Sequence, residues 1–134
     1  MNTKLVMLTS AFVMAVVGAT ASFLPQEMLQ YLGAEATGTT PLLVQLLGAL
    51  YLGFALLNWM AKGILIGGIY ARPVAVGNFL HFFAGAMALL KGLQAGHPSE
   101  ILWALAAVYS LLAGLFGLIT FRHPLKATLA GDNQ

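Results

Sequence analysis

The segment PLLVQLLGALYLGFALLNWMA, residues 41–61, runs from proline to alanine without one Asp, Glu, Lys or Arg. At 1.5 Å rise per residue, a helix of that length covers about 30 Å, the thickness of a bilayer's hydrocarbon core. Residues 5–24, 74–93 and 101–121 read the same way, and together the four stretches fill most of the 134-residue chain. They predict an all-α integral membrane protein, a four-helix bundle in a single transmembrane domain over 1–134.

Composition leads to the same solvent. Sixty per cent of the residues are hydrophobic and 7% are charged, against about 45–50% and about 25% in soluble domains. The absence of cysteine excludes disulfides, thiolate metal sites and dithiol redox chemistry. A net charge of +2, scattered along the chain, gives no footprint for nucleic acid.

The positions of the charges set an orientation. Lys4 precedes the first span, Lys62 and Arg72 lie between the second and third, and Arg122 and Lys126 follow the fourth. Lys91 alone falls on the other side, together with Glu27, Glu35 and Glu100. The Lys/Arg bias predicts a multi-pass membrane protein with both termini and the middle loop cytoplasmic. Trp59 and Tyr70 flank the middle loop and Trp103 opens the fourth span, in keeping with aromatic belts at the headgroups. Lys4, the apolar run behind it and Ala19-Thr20-Ala21 also resemble a secretory signal with its cleavage site. The run continues through Phe23 and Leu24, so the reading adopted is a retained first helix.

Local signals place the connections. Pro25 suits the first turn of a short helix, and PQEMLQYLG (25–33) sets Leu24, Met28, Leu29 and Leu32 on one face, with Gly33 as cap. This predicts a short amphipathic helix after span one, on the outer surface. An ordered loop folded over the bundle is the alternative. KGILIGGIYAR (62–72) reads as a frayed extension of span two or an interfacial, partly re-entrant loop. Pro73 is expected to begin span three. GHPSE (96–100) is short enough to make spans three and four antiparallel neighbours, with Ser99 as N-cap and Glu100 in the first turn. The tail RHPLKATLAGDNQ (122–134) is expected to be poorly ordered.

Helices in lipid are held by close packing and polar contacts, because the lipid is as apolar as they are. Small residues four apart occur at Ala49/Gly53, Ala84/Ala88 and Ala113/Gly117, and are expected to serve packing within the bundle or self-association. The polar residues within the middle spans are Gln45, Asn58, Asn78 and His81. Asn58 lies about 6 Å inside Lys62 and Asn78 about 9 Å inside Arg72, so antiparallel packing of these spans brings the two amides to similar depth. Asn78 and His81, three apart, share a face. The group Asn58, Asn78 and His81 either fastens the helices or forms a polar site, with His81 able to take a proton, metal or ligand.

No span carries the Asp or Glu usual in a proton-coupled exporter. A bis-histidine haem would need a second intramembrane His, whereas His97 and His123 fall at or outside the interfaces. No catalytic triad, metal cluster or phosphate loop occurs at credible spacing, so neither enzyme activity nor a cofactor is expected.

The stretches FLPQEMLQYLG (23–33), QLLGALYLGFALLNWMAKG (45–63) and YARPVAVGNFLHFFAGAMALLKG (70–92) resemble small four-span bacterial membrane proteins of the DoxX-like type. The similarity lies in hydrophobic pattern and in short pieces such as Asn58-Trp59 and Arg72-Pro73. It implies an inner-membrane four-helix bundle and supplies no reaction. The leading functional expectation is an accessory or interaction subunit, partnered by the bilayer and by a homo-oligomer or larger membrane complex. The alternative is a small transporter or lipid- or small-molecule-binding protein with a polar site at Asn58, Asn78 and His81.

Overall fold

A computed structural model describes residues 3–63, 71–95 and 100–122. The described residues form five helices: α1 (Thr3–Phe23), α2 (Pro25–Tyr31), α3 (Thr40–Ala61), α4 (Ala71–Gln94) and α5 (Glu100–Arg122). Four of them are long and apolar enough to cross a membrane, and the short α2 follows the first. Helix α4 starts at Ala71, two residues before the expected Pro73. A proline in the first turn has no intrahelical N–H bond to lose, so the helix begins ahead of it. The re-entrant or frayed reading of the middle loop, Ser99 as N-cap, and the tail from 123 onward lie outside the described residues.

The bundle is built from two tightly packed pairs, α1 with α3 and α4 with α5. In α1 the buried residues Met7, Ala11, Met14, Gly18 and Ala21 alternate in steps of four and three. This spacing keeps one seam facing a partner helix. At Gly18 and Gly48 the α1 and α3 backbones nearly touch. A methyl group built on Gly48 would lie 2.6 Å from the Ser22 backbone nitrogen and 2.9 Å from the Ala21 carbonyl carbon. One on Gly18 would lie 2.9 Å from the Leu52 nitrogen. Close backbone approach through small residues is how helices associate without a hydrophobic effect.

The second pair is held by rings. Phe82 of α4 stacks on Phe116 of α5 at 5.7 Å between centroids and meets Tyr109 edge-on at 5.2 Å. Phe82 and Phe116 are fully buried. Gly85 makes room for the Tyr109 ring, and Gly117 for that of Phe79. Such offset and edge-to-face pairs add about 0.5–1.5 kcal/mol each beyond burial.

Of the three small-residue pairs, only Ala113/Gly117 turns inward. Ala49, Gly53, Ala84 and Ala88 are exposed on the outside of the bundle, and none of the described residues approaches a methyl group built on Gly53. The contact residue of α3 is Gly48, one position earlier and about 100° around the helix.

Helix α2 folds back against α1 and α3, burying Pro25 and Leu29. It ends as expected at Gly33, whose φ of +69° lies in the left-handed region open to glycine. The Gly33 N–H donates to the Gln30 carbonyl and the Ala34 N–H to the Leu29 carbonyl, closing a Schellman cap. Leu29 alone of the four expected apolar positions is buried against the bundle. Leu24, Met28 and Leu32 border a groove instead.

Candidate functional site

Where the two helix pairs meet, Asn58 of α3 and Asn78 of α4 are both fully buried and face each other. Each Nδ2 donates to the other's Oδ1 at 2.7 Å, a reciprocal amide pair. The remaining protons are used as well. Asn58 Nδ2 also donates to Ser10 Oγ at 3.1 Å and lies 3.6 Å from Met14 Sδ, both on α1. Asn78 Nδ2 donates to the Val74 carbonyl at 2.8 Å, and Ser10 Oγ donates to the Met7 carbonyl at 2.9 Å. An amide offers two protons and a hydroxyl one, so the network leaves none unpaired. It ties α1, α3 and α4 together at one depth.

The sequence placed Asn58 and Asn78 at this depth but left out Ser10. Ser10 lies six residues inside Lys4, about 9 Å by the same helical rise. That match with Asn58 and Asn78 was the available signal. Gln45 is exposed, and its Nε2 reaches the Ser22 carbonyl at 3.5 Å, near the α2 end of the bundle.

His81 lies one turn beyond Asn78, away from the amide pair, in a cluster of rings. Tyr51 meets it edge-on at 5.1 Å, Phe54 stacks at 5.3 Å, Phe82 is edge-on at 5.2 Å and Tyr109 is tilted at 5.8 Å. The Tyr109 hydroxyl donates to that of Tyr51 at 2.5 Å, joining α5 to α3. His81 Nε2 is buried with no hydrogen-bond partner among the described residues. Counting from Lys62, Arg72 and Glu100, the residues Tyr51, His81 and Tyr109 lie about 14–16 Å deep, close to the bilayer midplane. Sequence reasoning assigned tyrosines to the headgroup belt and so missed Tyr51 and Tyr109, whose signal was their position in mid-span.

At the Lys62 end, the Lys62 ammonium sits 3.2 Å from the centroid of the Trp59 ring. A cation over an indole face, one turn along the helix, is a cation–π contact. Among the described residues no three His, Asp or Glu side chains gather to hold a metal ion.

Set against protein families, curated proteins and solved structures, the chain matches none.

Proposed function

We propose that the protein is an accessory or interaction subunit of the bacterial inner membrane, with both termini cytoplasmic, that docks other membrane helices rather than catalysing a reaction. The observation carrying this reading is the outward placement of Ala49/Gly53 on α3 and Ala84/Ala88 on α4. Small residues four apart permit close helix approach, and the bundle itself leaves these two pairs unused. The closed Ser10–Asn58–Asn78 network supports the same reading, since its protons are all engaged, three of them in bonds between helices. The DoxX-like layout and the Lys/Arg bias toward one side support the location and orientation.

Gly53→Leu tests the docking role. The substitution enters open space, so the isolated chain should melt as the wild type does. The mass of the particle extracted in mild detergent should fall. A wild-type particle already of monomer mass, unchanged in the variant, would remove the interaction reading.

A second reading, small-molecule binding or transport, draws on His81. Its Nε2 is buried without a partner among the described residues, and intramembrane ionisable residues commonly mark a functional path. A compound that co-purifies with the wild type and is lost from His81→Phe would favour this reading. Identical extracts from the two would count against it.

A further inference from the structure

The α2 end of the bundle contains a second feature, remote from the amide pair. Helices α1 and α5 touch only slightly, and at this end they and α2 line an open cavity of about 440 Å³. Its volume falls in the range of small-molecule sites, about 300–1,000 Å³. Val16, Val17, Met28 and Leu105 give it an almost wholly apolar lining, and the exposed Glu27 and Tyr31 stand at its edge. Thr20 also borders the cavity, but its hydroxyl is taken by the Val16 carbonyl at 2.9 Å.

Glu27 and Tyr31 are four apart on α2 and therefore share one face. Both are exposed, and among the described residues the Glu27 carboxylate makes no hydrogen bond or ion pair. The cavity thus joins a hydrocarbon-lined interior to a carboxylate and an electron-rich ring at its edge. Its complement is a molecule with the opposite pattern, an apolar tail ending in a cation. A carboxylate attracts such a head by charge, and a tyrosine face attracts it through its quadrupole. A neutral alcohol would fill the groove with its tail and gain only a hydrogen bond from Glu27, and an anionic head would be repelled.

We propose that the α1–α2–α5 cavity is a binding site for a single-chain amphiphile with an ammonium head, its tail along Val17 and Leu105 and its head between Glu27 and Tyr31. The site is independent of both readings of Asn58, Asn78 and His81.

The test uses the full chain in micelles of an uncharged maltoside detergent, with hexadecyltrimethylammonium as probe and hexadecanol as the neutral molecule of equal tail. The wild type should bind the cation about tenfold more tightly than the alcohol. Glu27→Gln, an exposed change that should leave melting unaltered, should abolish that preference. Leu105→Trp, which fills the cavity, should weaken both probes while leaving the Glu27-dependent preference in whatever binding remains. Equal binding of cation and alcohol by the wild type, or a preference that survives Glu27→Gln, would overturn the proposal. So would cation binding insensitive to Leu105→Trp in a variant that melts normally.

Discussion

Replacing Asn78 by leucine should destabilise the bundle by about 2–6 kcal/mol. The substitution removes both interhelical bonds of the amide pair. Bonds of this kind between membrane helices contribute about 0.6 kcal/mol on average and up to about 1.7, so the pair accounts for about 1–3 kcal/mol. It also leaves the fully buried Asn58 Oδ1 without a donor, and an orphaned buried polar atom costs about 1–3 kcal/mol. Asn58→Leu orphans two partners, Asn78 and Ser10, and should cost at least as much. The double variant removes both amides at once and leaves only Ser10, whose proton keeps the Met7 carbonyl. Its loss should therefore fall short of the sum of the single losses by about 1 kcal/mol or more. Equilibrium unfolding in mixed micelles of a mild and a denaturing detergent measures all three. An Asn78→Leu chain that unfolds like the wild type, or strictly additive losses, would refute the fastening role.

Other outcomes follow from the same contacts. Gly48→Val should separate α1 from α3 and cost more than 2 kcal/mol, because its side chain meets backbone at 2.6–2.9 Å; a Gly53→Val chain, measured alongside, should differ little from the wild type. Ser10→Ala frees one Asn58 proton and should cost about 1 kcal/mol in the same unfolding measurement. Tyr109→Phe removes the bond to Tyr51 and should raise the exchange rate of α5 backbone amides in mid-helix, read by hydrogen–deuterium exchange. Unchanged protection there would show that the rings, and not the hydroxyls, hold α5 to α3.

How much of this was legible in the sequence depended on what lipid leaves visible. Charge-free length located the four spans, and the distances from Lys62 and Arg72 brought Asn58 and Asn78 to one level. The rotation of each helix was not legible. In water the core-facing side of a helix is apolar and the outer side polar, but in a bilayer both are apolar, so the pattern cannot tell Gly48 from Ala49. That is why the sequence left Ala49/Gly53 open to packing within the bundle or self-association, and did not single out Gly48, which makes the contact with α1. Ser10 was overlooked because a serine in a helix commonly bonds its own backbone, as it does here to Met7, and its second role as acceptor for Asn58 has no sequence signature. Tyr51 and Tyr109 were hidden by the preference of tyrosine for the headgroup belt.

The central claim is that the chain crosses the membrane four times, with Lys62 at one end of the bundle and α2 at the other. The absence of native cysteine allows single cysteines at Lys4, Glu35, Lys62 and Gln94 to be tested with a membrane-impermeant maleimide on sealed vesicles of known orientation. Lys4→Cys and Lys62→Cys should react from one side only, the cytoplasmic one, and Glu35→Cys and Gln94→Cys from the other. Labelling of Glu35→Cys and Lys62→Cys from the same side would contradict the account.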